Sequence, residues 1–289
     1  MRILTDKRIL GVLRCPICNS GFEMIDTSLK CLGVRTHSYD LAASGYVNLC
    51  SPKQSGGGDS KAAVNARSSF LNKGHYLPVA KTLVDRVEKY ADKGSVVIDA
   101  GCGEGYYGEA IARRGYSVFG VDLSKFAASA ASKRFVRSGI ENGFFATSSV
   151  FELPVADQCA GAVTSVFAPC AHTEFSRVLK DGGVLIAVYA GESHLLGLKS
   201  AIYEHTNINT ERADLPVDME RLEDIRVKYT LTLTGNEDIL SLFAMTPYYW
   251  RTSPADAEKL QGLGELTTEI DVMISVYKKG STDKVGAES

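Results

Sequence analysis

Residues Val96–Gly108 read VVIDAGCGEGYYG. An apolar run leads into Asp99, and glycines then recur at 101, 103 and 105 ahead of a helix-compatible stretch. Such glycines let the backbone turn tightly and approach a ligand, while the helix start offers unpaired N–H groups. The spacing is GxGxG rather than the GxGxxG of a dinucleotide loop. Asp99 and Glu104 would also repel a pyrophosphate; they suit a ligand with a cationic amino group and a neutral sugar. Asp122 closes the next apolar run, 23 residues after Asp99, where a carboxylate can hold two ribose hydroxyls. Ser149, near the end of a third run, stands where an adenine would lie, or is a solvated loop serine. Asp99, Gly101, Gly103, Glu104, Asp122 and Ser149 are therefore the candidate cofactor residues. The alternative is a Gly-rich turn in some other nucleotide-binding α/β protein.

Outward from this loop, strand and helix patterns alternate. Leu83, Val87 and Tyr90 form a helical stripe before the strand Ser95–Ala100. The strand Tyr116–Asp122, an Ala-rich helix over Lys125–Val136 and the strand GFFAT follow. The apolar run Ala160–Ala168 predicts a buried central strand, followed by the helix HTEFSRVL and the strand GVLIAVYA. This alternation predicts a parallel α/β sheet. Val227–Leu233 alternates at period two, DILSLFAM reads as a short helix, and Glu269–Lys278 is again a strand, which suits a closing antiparallel hairpin. Acid, glycine loop and hairpin together resemble the S-adenosylmethionine loop and sheet of class I methyltransferases. That resemblance implies an α/β, Rossmann-like class I methyltransferase sheet. It also implies that VFAPC (Val166–Cys170), ending the fourth strand, faces the methyl donor and holds the acceptor. Phe167 and Pro169 could shape and stack on a planar base. Cys170 reads as a buried apolar cysteine rather than a nucleophile.

The front of the chain has another character. Cys15-x2-Cys18 and Cys31-x5-His37 make two ligand pairs within 23 residues, a Cys₃His set suited to structural zinc with no open position. CxxC alone could be a redox pair, but no βαβ pattern follows it directly and a second ligand pair does. Seven cysteines are an odd count, which argues against a disulfide framework and for a reducing compartment. The apolar run Ile9–Leu13 is too short for a secretion signal, and no run reaches the roughly 20 residues that span a bilayer. A cytoplasmic location is expected. The formal net charge of −2 gives no help to nucleic-acid binding, although residues 1–60 carry seven basic against five acidic side chains. The Gly/Ser stretch Ser51–Ser60 marks a break. The expected division is a small N-terminal zinc-binding, RNA-recognition domain over 1–50, a flexible linker or loop over 51–62, a methyltransferase domain over 63–279, and a disordered tail over 280–289.

Taken in order, further motifs run nearly the length of the chain: GYVNL (Gly45–Leu49), AR-x-x-FL-x-x-GHY (Ala66–Tyr76), GCGEGYY, APC, HL-x-x-LK (His194–Lys199) and MTP-x-x-W (Met245–Trp250). Jointly they resemble the bacterial 23S rRNA (guanine-N1)-methyltransferases of the RlmA type, a family that includes macrolide-resistance members. The resemblance implies zinc on Cys15, Cys18, Cys31 and His37, and donor contacts from Tyr76, Gly103, Glu104 and His194. It implies 23S rRNA as partner and leaves room for a homodimer; no membrane partner is expected. The implied target is N1 of a guanine in the hairpin 35 loop. The segment Leu32–Thr36 is longer than the family's usual gap before the histidine. Two other readings stay open: a small-molecule methyltransferase with zinc as a scaffold, and a donor-binding regulatory protein whose zinc module binds a protein. Acceptors for the guanine proton would lie near Phe167–Cys170, or at Glu104 indirectly.

Overall fold

The computed structural model describes residues 3–51, 57–205 and 219–280. Helix α1 (Lys7–Val12) leads into a small antiparallel sheet of β1 (Phe22–Ile25), β2 (Ser28–Cys31) and β3 (Ser38–Asp40), then a two-residue strand β4 (Val47–Asn48). Helices α2 (Lys61–Asn72) and α3 (Leu77–Tyr90) precede the alternating part. That part runs β5 (Val96–Ala100), α4 (Tyr106–Ala112), β6 (Ser117–Asp122), α5 (Lys125–Arg137), β7 (Gly143–Thr147), β8 (Ala160–Val166), α6 (His172–Val178) and β9 (Leu179–Ala190). It closes with α7 (Leu196–Ile202), β10 (Met219–Thr234), α8 (Asn236–Ala244), a 3-10 turn (Pro247–Trp250), α9 (Pro254–Glu258) and β11 (Glu265–Lys279).

The large sheet has the order β10-β11-β9-β8-β5-β6-β7-β4. Strands β4 to β9 run parallel, and β11 is antiparallel to both β9 and β10. The closing hairpin is present and longer than the period-two pattern indicated, because its strands extend past the alternating core. Every residue of β5, β7 and β8 is buried, as suits strands covered on both faces. The direction of strand order reverses between β5 and β8. That switch point, at the carboxyl ends of the strands, is the position where α/β sheets bind ligands.

The two faces of the sheet sort alternate residues. Val97, Val118, Phe145 and Ala162 pack with Val79, Leu83 and Val87 of α3. Ile98, Phe119, Phe144 and Val163 point the other way and pack with Ile9, Leu13, Leu29 and Val47. The N-terminal module therefore supplies part of the cover for one face of the large sheet, beside Phe175 and Val178 of α6. Leu13 bridges to Val155, the Arg14 N–H donates to Pro154 O at 2.8 Å, and Val47–Asn48 extend the sheet along Ala146–Thr147. Residues of the N-terminal module and of the large sheet thus share one buried cluster. The linker read over 51–62 is shorter where it can be seen: Ser60 Oγ accepts from Ala63 N at 3.2 Å and starts α2 at Lys61. Residues 52–56 of that linker, and 281–289 of the tail read over 280–289, lie outside the described residues. Among the described residues no helix is long and apolar enough to cross a membrane.

Leu13 is fully buried where module and sheet meet. Leu13→Ala is expected to lower the unfolding free energy by about 2–5 kcal/mol, read as a fall in the urea midpoint of the whole chain. An unchanged midpoint would mean that the module does not contribute to the stability of the sheet.

Candidate active site and metal centre

The loop after β5 folds across the end of β6. The Gly101 and Cys102 N–H groups both donate to Val121 O at 2.9 Å, and Gly103 N–H donates to Asp122 Oδ2 at 3.0 Å. Asp122 Oδ1 accepts from Ser124 N at 2.8 Å. Gly101 and Gly105 have φ of 78° and 82°, left-handed values that a side chain resists. Space forbids a side chain as well: a Cβ on Gly101 would lie 2.5 Å from Ala168 Cβ, and one on Gly105 would lie 2.9 Å from Ala131 Cβ. Beside this turn Asp99 is buried and accepts from Thr164 Oγ1, its neighbour on β8, at 3.0 Å. Ser148 N–H donates to Asp122 O, so β6 and β7 end level and Ser149 follows directly, its Oγ accepting from Phe151 N. Six residues read from the loop and its neighbouring strand ends, Asp99, Gly101, Gly103, Glu104, Asp122 and Ser149, therefore gather at the strand ends.

Burial raises the pKa of all three acids. Asp99 is pushed up to about 7, chiefly by burial and further by the Glu104 and Asp122 charges, against the Thr164 hydrogen bond. Burial raises Glu104 against the pull of Arg134 and Arg67, and raises Asp122 against its two backbone donors. Among the described residues Asp99 Oδ2 and Glu104 Oε1 are buried without a hydrogen-bond partner. Asp99 Oδ2, and Glu104 Oε1 held only by an ion pair of 3.6 Å to Arg134, lie beside a loop stripped of side chains and form a cradle suited to a cationic polar ligand. Arg134 braces it from α5: its Nε donates to Glu104 O at 3.0 Å, Nη1 to Glu109 at 3.1 Å and Nη2 to Asn72 at 2.8 Å. Sequence reasoning missed this residue. Its signal was an arginine three residues after Ala131 on the buried stripe of an Ala-rich helix.

Tyr76 and His194 meet at a second wall. The Asp271 N–H donates to His194 Nδ1 at 3.2 Å. The neutral ring therefore carries its proton on Nε2, which lies 3.3 Å from Tyr76 Oη and donates to it. The phenol proton is left to point elsewhere. Asp271 is itself gripped by Arg226 at 2.7 and 2.8 Å and by Ser193, which holds its carboxyl well below the usual range. Phe167 stacks on His194 with ring centres 5.5 Å apart and a 19° tilt, and stands edge-on to Tyr76. It has φ of 51° and is 45% exposed, an unusual backbone for an aromatic residue. Because Ala168 packs against Gly101, this aromatic wall and the glycine loop share one crevice. Cys170, beside His172, is pushed up to about 11 by burial, so it is a thiol and no nucleophile at neutral pH.

The four N-terminal donors form a separate centre. Cys15 Sγ, Cys18 Sγ, Cys31 Sγ and His37 Nδ1 all lie within 4.8 Å of one another. Zinc–sulfur bonds of about 2.3 Å place sulfurs about 3.8 Å apart in a tetrahedron. Cys18 and Cys31 sulfurs are 3.7 Å apart, and His37 Nδ1 is 3.6 Å from Cys15 and 3.4 Å from Cys31. The long Leu32–Thr36 segment does not pull the histidine away, because Cys31 N–H donates to His37 O and His37 N–H donates to Cys31 Sγ. Tyr39 Oη lies 3.4 Å from Cys15 Sγ. The set fits a tetrahedral metal with every position filled by protein.

Known proteins share both parts. The family description "RlmA, N-terminal" matches residues 13–55, and "Methyltransferase domain" matches 97–183. The 23S rRNA (guanine(748)-N(1))-methyltransferase of Streptomyces fradiae is 29% identical, covering 91% of this chain and 96% of its own. A protein of Micromonospora griseorubida, provisionally named a 23S rRNA (guanine-N(1)-)-methyltransferase, is 30% identical, covering 86% of this chain and 90% of its own. Among solved structures, YcgJ of Bacillus subtilis superposes with a TM-score of 0.51 at 17% identity, over 70% of this chain and 99% of its own, a likeness of fold.

Burial brings the His194 pKa down to about 4, mainly through lost solvation. Unfolded, the ring takes its proton near 6.5. Titration of His194 therefore leaves stability unchanged above about pH 6.5, then lowers it as pH falls to about 4, by on the order of 3 kcal/mol in full. His194→Gln is expected to flatten the loss of stability between those pH values in urea titrations. Parallel losses in both proteins would refute the buried neutral ring.

Proposed function

The chain belongs to the RlmA-type family of 23S rRNA (guanine-N1)-methyltransferases, and from that premise we propose that it methylates N1 of a guanine in the hairpin 35 loop of 23S rRNA, with S-adenosylmethionine as donor. The observation that carries the reading is the exposed, strained Phe167 ring beside the glycine loop, a flat apolar surface where a base can stack. Asp99, Gly101, Gly103 and Glu104 would hold the amino-acid end of the donor, Asp122 its ribose and Ser149 its adenine. Tyr76, fixed by His194, closes the wall next to them. When bound, the donor supplies a methyl group on a positively charged sulfur.

The chain's own work is placement. Guanine N1 is hidden by pairing and carries a proton, so the base must be exposed and oriented, and the proton must leave. Phe167 orients the ring plane. His194 is not the base: its low pKa and the engagement of both nitrogens keep it neutral and occupied. Proton acceptance then falls to the turn Phe167–Cys170 or, indirectly, to Glu104. Zinc on Cys15, Cys18, Cys31 and His37 would fold the module that grips the RNA and take no part in the chemistry. A cytoplasmic enzyme acting on ribosomal RNA fits this reading.

Labelled donor is expected to mark 23S rRNA from a strain lacking the gene, and primer extension to stop at one guanine of the hairpin 35 loop. Label entering only a lipid extract would favour a small-molecule acceptor, and binding without transfer a regulatory protein. Metal analysis is expected to return one zinc per chain. Cys15→Ser is expected to cut RNA methylation by more than about tenfold and to lower the urea midpoint of the whole chain, because the module shares its core with the sheet, while donor affinity persists at temperatures where circular dichroism shows the variant folded. Equal methylation by that variant would remove the recognition role from the module.

A further inference from the structure

A groove of about 1110 Å³ runs along a different face of α2 from the one Arg67 presents to the glycine loop. α2 lines it with a stripe from Lys61 to Asn72 at helical spacing, and α5 with a matching stripe from Phe126 to Arg137. The turn around Ser44, between β3 and β4, forms one end. That end is fixed: Ser132 Oγ donates to Ser44 O at 2.6 Å, and Ser129 Oγ donates to Ser44 Oγ at 3.0 Å. The groove therefore joins the metal module to the roof of the donor loop.

Its charge is one-sided. Lys61, Lys133 and Arg137 line it with no carboxylate among the lining residues. All three are exposed, and none has an ion-pair partner among the described residues, whereas Arg67 and Arg134 on the same helices pair with Asp59 and Glu109. Lys61 is also the first residue of α2, whose first turn carries no acid. A cation there opposes the helix dipole and is not explained by the stability of the helix. Phe126 adds an exposed ring to the same surface.

We propose that this groove is a phosphate track for the substrate RNA. Lys61, Lys133 and Arg137 hold the backbone of an unpaired segment flanking the target, and Phe126 offers a stacking face. The proposal rests on the RNA reading above and says where, outside the crevice, the catalytic domain grips that RNA. A chain with a formal charge of −2 needs such a local cluster, because its overall charge draws no polyanion.

The test is the full-length Lys61→Gln, Lys133→Gln, Arg137→Gln triple variant, with an RNA oligonucleotide of the hairpin 35 loop and its stem as probe. Binding measured across a salt series is expected to lose about two from the slope of log affinity against log salt, at about 0.7 per phosphate contact. Affinity at low salt should weaken at least about tenfold, with kcat at saturating RNA and donor affinity retained. A wild-type slope in the triple variant overturns the track while RNA methylation stands. Wild-type protein that neither binds nor methylates the RNA overturns the track and the RNA reading together. A variant that changes self-association in sedimentation but not the RNA slope makes the groove a subunit contact and overturns it too.

Discussion

Val121 O accepts from two successive N–H groups, Gly101 and Cys102, and the candidate active site is built on that double hold. Two amides can converge on one carbonyl only if the chain reverses at once, and Gly101 at φ 78° allows the reversal. The same turn aims Gly103 N–H at Asp122, sets Glu104 under Arg134, and brings Gly101 against Ala168 of the loop after β8. The glycine loop and the aromatic wall are therefore coupled through a contact with no room for one methyl group. A change at Gly101 would displace both.

The second constraint is the face of the sheet that the catalytic elements alone do not fully cover. Ile98, Phe119 and Phe144 would otherwise expose a broad apolar surface, and Ile9, Leu13, Leu29 and Val47 complete its cover. This explains how a module of short strands, too small to close a core, becomes ordered beside its metal donors. It also gives the module a fixed position relative to the crevice. A module that swung on a free linker would have to be ordered anew at each binding event.

Features set by local chemistry were legible in the sequence. The GxGxG turn, the acids at 99 and 122, the buried β8 and the two ligand pairs each follow from neighbouring residues. The closing hairpin was legible too, because alternation at period two survives in exposed strands. What escaped depends on distant partners. Tyr76 and His194 lie 118 residues apart, and the Asp271 amide that sets the ring's tautomer is 77 residues further on. Nothing near any of them announces the meeting, and only the family resemblance singled out the first two. The strained Phe167 was read as a stacking residue, but its left-handed backbone arises from a turn that must clear Gly101 and reach Val188. The role of α1 was missed because its apolar run is too short to show a helical period, and Ile9 is its only buried residue.

Electrostatics ties these parts to the work of the site. Asp99, Glu104 and Asp122 are all shifted toward their protonated forms, each chiefly by burial. Arg134 and Arg67 oppose the shift at Glu104, yet Arg134 also serves Glu109 and Asn72, and Arg67 also pairs with Asp59. Arg134 Nη2 also lies 3.6 Å from Glu104 Oε1, so the arginines fix the loop in shape and offset part of its charge, while among the described residues Asp99 and Asp122 form no ion pair. A neutral ligand would leave that surplus in place, and an anionic one would add to it. A ligand with a positive centre and hydroxyls relieves the surplus and offers donors to Asp99 Oδ2 and Glu104 Oε1, so these carboxylates favour such a ligand at the loop.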